Sequence, residues 1–333
     1  MKPSSEFRLP FEAPIYDLET RLAEMESSYA NSKDRSDIAS AEASEQLRRM
    51  RKELLNLKRN LFANLDPWQT VQVSRHPNRP HSRDYIELIF GGFVELHGDR
   101  AVGDDQAIVT GFAHLGDEKV MFIGHQKGKN LAERTACNFG CAHPEGYRKA
   151  LLKMKMAAKF NLPIVTFIDT PGAYPGIAAE ERGQALVIAE NLMAMSQIET
   201  PIVTVVIGEG GSGGALGIGM GDRVAMLEHA YYSVISPEGC ATILWKGADA
   251  APKAAAALKM TAPHLKRFGI VDEIIPEPIG GAHRDHRGAA AAVKSFLTRS
   301  LREISEQPKS ELLNRRYEKY RKIGVVLEGV VEV

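Results

Sequence analysis

The sequence predicts a layered α/β protein fronted by a helical hairpin, and three observations carry that prediction. Two segments open alike, Pro163-Ile164-Val165-Thr166 and, thirty-eight residues on, Pro201-Ile202-Val203-Thr204. Each reads as strand, special turn and helix, a weak internal repeat of the kind that stacks into a layered core. The second copy runs from an apolar, β-branched stretch at 203–207 into eight glycines between Gly208 and Gly221. Ahead of both, apolar residues recur at spacings of three and four.

That early periodicity comes in two pieces. Ile15, Leu18, Leu22, Met25 and Tyr29 form the first; Leu47, Met50, Leu54, Leu57, Leu61 and Leu65 form the second, beyond a polar break at Asn31-Ser32-Lys33-Asp34. Two amphipathic helices folded as a hairpin are expected, packing on their own core or clamping a partner. A basic, proline-broken connector follows at 74–83, with Arg75, Arg79 and Arg83 expected as a solvated link. Asp84 is expected to cap a short helix through Ile89. Strands are predicted at 107–115 and 119–124 around the Gly116-Asp117 turn, then a helix at 144–160. The repeat units give strands at 163–166 and 203–207, with a helix at 178–195 after the first. Short strands at 224–227 and 231–235, helices to Trp245 and over 252–268, and a strand at 271–275 follow. The remainder, 287–320, reads as helix broken near Pro308, its basic face either solvated or a docking surface. The domain plan is a hairpin and connector (1–83), a main domain (84–300) and a helical tail (301–333).

Composition excludes several classes. With 42 basic and 42 acidic side chains the 333-residue chain has zero formal net charge, so no global field argues for nucleic acid or membrane. There is no apolar leader and no run of 18 apolar residues, so a reducing cytoplasm is the expected setting. Cys137, Cys141 and Cys240 make no disulfide framework. With His143 nearby, Cys137 and Cys141 lack an obvious fourth zinc ligand and read as unligated thiols.

The chemistry centres on Gly208-Glu209-Gly210-Gly211-Ser212-Gly213-Gly214. No Lys follows Gly214, which excludes a Walker-type phosphate loop. Its G-x-G-x-x-G match is largely a product of glycine content. A strand leading to a helix whose first turn is bare backbone, beginning past Ala215, presents free N–H groups to a developing oxyanion. Close packing of helix on sheet would place the same glycines. Gly210 to Gly214 also satisfies the serine-elbow pattern around Ser212, for which His283, Asp285 and His286 are the partners the sequence offers. Asp169 is expected to cap its own turn, and Glu209 to be solvated or salt-bridged. The residues thus point to backbone donors with little side-chain acid–base apparatus.

The chain resembles the carboxyltransferase alpha subunits of bacterial-type acetyl-CoA carboxylase, in the crotonase-like (ClpP/crotonase) superfamily. The resemblance is carried by Trp68 through Arg83, Phe93 through Arg100, Gly124-His125-Gln126-Lys127-Gly128 and Asp169 through Gly176. Gly208 through Leu216, Ser233 through Ala241 and Ile275 through Arg284 complete it; the resemblance runs from about Leu18 to Leu301, and the last thirty or so residues, ending EGVVEV, are unmatched. It implies an α/β, crotonase-like ββα superhelix and a carboxyl transfer from carboxybiotin to acetyl-CoA, giving malonyl-CoA, the first step of fatty acid synthesis. It also implies an α2β2 assembly with a beta subunit that carries a zinc ribbon, a biotin carboxyl carrier protein as donor, and a separate biotin carboxylase that uses the ATP. No metal is expected on this chain. Carried onto this sequence, Gly210 and Gly211 would hold the ureido oxygen of biotin. Gly124, Tyr174, Gly213, Gly214, Pro237, Glu238 and Gly239 would line the substrate, and Arg134, Arg148 and Lys246 are candidates for CoA phosphates. The runner-up is a self-contained crotonase-type hydratase or decarboxylase with Glu238 as its acid; a third reading is a non-enzymatic scaffold.

Overall fold

The computed structural model describes residues 7–31 and 37–324. From Ser32 on, the expected polar break lies outside the described residues, as does EGVVEV. A 3-10 turn leads into α1 (Ala13–Asn31) and α2 (Asp37–Ala63), which pack together as the expected hairpin. Leu9, Ile15, Phe62 and Val73 form the apolar cluster at its base. There Glu12 is fully buried and accepts from Arg284 Nε at 3.0 Å, while Arg284 Nη1 reaches Glu19 at 3.0 Å.

α3 (Pro67–Ser74) starts on a capping box of Asp66 and Gln69. Two of the connector's three arginines are not solvated: Arg79 is buried and Arg75 partly so, because each meets carboxylates from distant parts of the chain, whereas Arg83 is exposed and pairs with nearby Glu95. α4 (Ser82–Ile89) begins three residues earlier than expected, with His81 in the cap position, and Asp84 acts from its third position, accepting from the His81 N–H at 2.8 Å.

Next come β1 (Gly91–Glu95), β2 (Ile108–Leu115) and β3 (Glu118–His125), an antiparallel meander whose first strand the sequence pattern hid behind Gly91-Gly92. α5 (Leu131–Ala136) and α6 (Pro144–Lys159) precede β4 (Ile164–Thr170). The helix expected at 178–195 is two, α7 (Ile177–Glu181) and α8 (Gln184–Gln197), broken where Gly183 takes φ +82°. β5 (Ile202–Gly211), α9 (Ser212–Leu216), β6 (Arg223–Leu227) and β7 (Tyr231–Ser233) follow, then α10 (Pro237–Trp245). The helix expected at 252–268 also divides, into α11 (Ala251–Leu258) and α12 (Ala262–Arg267), at the left-handed Lys259. After β8 (Glu273–Ile275), α13 (His286–Ser305) runs unbroken through residue 300, and α14 (Lys309–Arg321) restarts after Pro308.

The sheet order is β1-β2-β3-β4-β5-β6-β8, parallel from β3 onward, with β7 beside β5. β4 and β5 are buried along their whole length, which is why they read as apolar runs without alternation. β5 pairs with β6 over Val203–Val206 and with β7 over Glu209–Gly211, so its two halves bond different neighbours in the same sheet.

Candidate active site

The glycine tract does not form the turn where the sequence put it. β5 continues through Gly208, Gly210 and Gly211, and the five-residue α9 starts at Ser212, before Ala215. Crowding explains the extra strand length. A Cβ on Gly211 would lie 2.1 Å from the Pro171 carbonyl oxygen, one on Gly214 2.4 Å from the Ala173 nitrogen, and one on Gly210 2.7 Å from the Tyr232 ring. The backbone of residues 171–173 therefore sits directly on the turn, and only glycine admits it. Ser212 makes the turn with φ +49°, a left-handed conformation rare for a side-chain-bearing residue. Gly213 is different: the nearest atom to its Cβ position is Ile188 Cδ1 at 3.7 Å. It opens, with Ser212, Leu216, Tyr232 and Val234, on an apolar cavity of about 440 Å³.

A second feature lies at the carboxyl ends of the parallel strands, where α/β folds present their ligand-facing residues. Lys127, just past β3, sits 2.7 Å from Asp169 Oδ1 at the end of β4 and 2.5 Å from Glu209 Oε2 on β5. Arg75 donates to Glu209 at 2.5 Å and to Glu238 at 2.5 Å, and Tyr231 Oη donates to Glu209 at 2.7 Å. Burial pushes the Glu209 carboxyl up, but the charges of Lys127 and Arg75 outweigh it and hold the group at about 2. Every carboxylate in this network contacts a cation, Asp169, Glu209 and Glu238 sharing Lys127 and Arg75. A cavity of about 300 Å³ opens beside it, walled by Arg75, Lys127, Arg134, Asp169 and Glu209.

The structure distributes the remaining expected residues as follows. Gly124 is buried in β3 with its Cβ position 2.6 Å from Ser82 Oγ, facing α4. Tyr174 stacks on His143 at 4.0 Å, immediately after the loop segment that covers Gly214. Pro237, Glu238 and Gly239 open α10, where Ser236 Oγ accepts from the Gly239 N–H. Glu238 belongs to the Arg75 network, and neither it nor Tyr174 borders the cavity at Gly213. Arg134 borders the second cavity, whereas Arg148 is consumed by Asp99, Glu145 and the Arg182 carbonyl. Lys246 is exposed in the left-handed cap of α10.

One expectation is corrected, and one open alternative is closed. Asp169 does not cap its own turn; it accepts from the Glu209 N–H at 3.0 Å and pairs with Lys127. The serine-elbow partners are elsewhere: His283 lies against Glu12 and His76, His286 meets the Asn78 carbonyl at 2.5 Å, and Asp285 caps α13. Ser212 therefore has no imidazole to activate it. Cys137, Cys141 and His143 do not converge; among the described residues the one clustered ligand set is Glu12, His76 and His283. Its carboxylate already takes Arg284 and Tyr16, and His76 Nδ1 accepts from Asn78 N, so it works as a tether for the hairpin.

Residues 8–324 match the family model described as acetyl co-enzyme A carboxylase carboxyltransferase-like. The carboxyl transferase subunit alpha of Rhodopirellula baltica acetyl-coenzyme A carboxylase is 60% identical over 320 residues, covering 96% of this chain and 98% of that one. The chain belongs to the acetyl-CoA carboxylase carboxyltransferase alpha family. Among solved structures, transcarboxylase 12S superposes with a TM-score of 0.53 at 24% identity, over 66% of this chain and 42% of that one. A Pseudomonas malonate decarboxylase hetero-tetramer gives 0.52 at 16% identity, over 65% and 86%. These likenesses bear out the crotonase-like fold. The alpha-family sequence names its glycines readily, but the ionic network was missed. Its one signal was the recurrence of charge directly after strands, at Lys127, Asp169 and Glu209.

Proposed function

We propose that this chain supplies the half-site that receives carboxybiotin, working with a carboxyltransferase beta subunit in an α2β2 assembly to convert acetyl-CoA to malonyl-CoA. The observation that carries the reading is a turn of nearly bare backbone with no free acid or base beside it. Asp169, Glu209 and Glu238 are all held in ion pairs, and Ser212 has no histidine partner. Such a site works through backbone dipoles fixed in advance. The donor is biotin on a carrier protein, charged by a separate ATP-using biotin carboxylase, and a zinc ribbon belongs to the beta subunit.

One observation fits that group: Gly213, whose Cβ position meets nothing nearer than Ile188 Cδ1 at 3.7 Å, opens on a cavity that is apolar. Carboxybiotin, when bound, supplies the carboxyl group. The N–H groups of Gly210 and Gly211 are assigned to its ureido oxygen, where negative charge grows as the carboxyl leaves. The walls at Gly213 and Gly214 exclude water, which strengthens those dipoles. Tyr174, Gly124 and the segment Pro237-Glu238-Gly239 are assigned to the outer rim, and Arg134 to an anionic part of the acyl-CoA. Acetyl-CoA activation falls to the beta subunit.

The test is malonyl-CoA formation from carrier-bound carboxybiotin and acetyl-CoA, with and without the beta subunit. Turnover only in the mixture supports a shared site. Turnover by the chain alone would instead favour a self-contained acyl-CoA enzyme using Glu238. Within the mixture, Gly213→Leu is the informative variant, since its side chain enters open space and spares the crowded glycines. Assembly is expected to survive while turnover falls more than about a hundredfold.

A further inference from the structure

Two buried side chains that no part of the proposed chemistry uses converge on the glycine turn from behind. Tyr147 on α6 is fully buried and donates from Oη to the Gly214 carbonyl at 3.2 Å. Asn191 on α8 is fully buried and its Nδ2 donates to the Gly217 carbonyl at 2.8 Å and to the Tyr147 carbonyl at 3.1 Å. The Tyr147 ring also fills the space over Gly217, where a Cβ would lie 2.6 Å from its Cδ1. α9 is five residues long, too short to hold its own orientation. Its front face is covered by residues 171–173, and Ser212 keeps a left-handed φ that relaxes unless the surroundings enforce it.

We propose that Tyr147 and Asn191 are positioning residues for carboxyl transfer, forming a clamp that fixes α9, and with it the Ser212 end of the Gly210–Gly214 turn, in its productive orientation. The inference rests on the assignment of the turn's N–H groups to the developing oxyanion. The clamp touches no substrate. It acts by holding the Gly214 and Gly217 carbonyls, so that the turn, strained at Ser212, cannot swing. The Gly214 and Gly217 carbonyls share rigid peptide planes with the Ala215 and Ile218 N–H groups, so the clamp fixes the frame of α9, on which the Ser212 end of the glycine turn is anchored. Dipoles already aligned need no reorganisation during the reaction, and a small rotation of the turn would forfeit that advantage. Asn191 ties the two helices together by bonding both the turn and the backbone of Tyr147, so the clamp moves as one unit.

The test uses the full chain assembled with its beta subunit. Tyr147→Phe removes one hydroxyl and leaves the ring over Gly217. It is expected to lower kcat about tenfold, roughly 1.4 kcal/mol of barrier, while the KM values for acetyl-CoA and the biotinylated carrier stay within about twofold. Asn191→Ala should behave alike, and the double variant should lose less than the product of the two single losses. Thr204→Val is the stability control, since it breaks a buried hydrogen bond to Thr166 far from the turn; it should lower Tm without moving kcat. An unchanged kcat in Tyr147→Phe, or a loss matched by Thr204→Val at equal Tm loss, overturns the clamp. Gly213→Leu separates the two levels. If it retains turnover the oxyanion assignment itself fails, whereas if it is inactive while Tyr147→Phe is fully active, only the clamp fails.

Discussion

Arg79 and Glu277 form a buried, two-pronged ion pair, with Nη2–Oε1 at 2.6 Å and Nη1–Oε2 at 3.1 Å, and side chains 2% and 0% exposed. The pair joins the connector after the hairpin to the segment after β8, 198 residues away in sequence. Arg79 Nε also donates to the Ile207 carbonyl at 2.7 Å, and Glu277 accepts from the N–H groups of His229 and Ala282. Removing one partner strands the other charge in the interior. Arg79→Met and Glu277→Gln should each cost roughly 3–5 kcal/mol in urea unfolding. A cost under about 1 kcal/mol would mean the orphaned charge reaches water.

The same logic separates two glutamates that both touch Arg75. Glu209 is 7% exposed and lies between Arg75 and Lys127, whereas Glu238 is 37% exposed and meets Arg75 alone. Glu209→Gln should destabilise by several kcal/mol, and Glu238→Gln by less than about 1 kcal/mol. Turnover of the assembled enzyme also discriminates. A general acid at Glu238 would make the Gln variant lose a hundredfold or more; with Glu238 engaged by Arg75, the expected loss is under about tenfold.

Acid should unfold the protein in two stages. Burial lowers His76 and His125 to about 4, so both are neutral in the folded chain at neutral pH. The unfolded chain binds those protons near 6.5, so it holds more protons than the native state between about 6.5 and 4. Stability is therefore complete above 6.5 and falls as pH drops through that window. Glu209 and Glu277 follow: burial raises them, but adjacent cations outweigh it and hold both at about 2. Their contribution is lost between about 4.5 and 2. Tm measured from pH 7 to 3 should decline from about 6.5 downward, and His125→Gln should flatten the upper part of the slope. A flat Tm between 6.5 and 4.5 would contradict the buried-neutral assignment.

Much of this architecture could be read from residue order, and the reasons are specific. The thirty-eight-residue repeat is real geometry: Thr166 and Thr204 lie side by side on β4 and β5, their hydroxyls 2.8 Å apart. The hairpin and most strands also announced themselves through periodicity. What stayed hidden was set by contacts far apart in sequence. Gly183 and Lys259 break helices through left-handed backbone that apolar spacing does not register. The connector arginines looked solvated because Glu209 and Glu277 lie 134 and 198 residues away. The glycine tract stood out in the sequence, yet its register was misjudged, since the crowding that extends β5 comes from Pro171 and Tyr232.

The C-terminal tail offers the last prediction, because the sequence left it open between a solvated face and a docking surface. Arg316 is fully buried and donates to the carbonyls of Met195 at 2.5 Å, Ile198 at 2.8 Å and Thr200 at 3.1 Å, and to both oxygens of Asp222. Tyr320 Oη accepts from the Gly221 N–H at 2.7 Å, and Leu312 is buried. α14 thus caps the loops before and after β5. Arg316→Ala strips Asp222 of its cation, leaving it the Ile202 N–H, removes a donor from three carbonyls, and should cost about 3–5 kcal/mol. Lys, with one ammonium in place of a planar fork, should recover only part of that. Arg321→Ala, on the exposed side, should stay within about 0.5 kcal/mol. Tyr320 and Ile323 also wall the cavity at Gly213, so the Arg316→Ala protein should lose turnover at temperatures where it remains folded and assembled. Full activity in that variant would show that the cavity wall is held by the rest of α14.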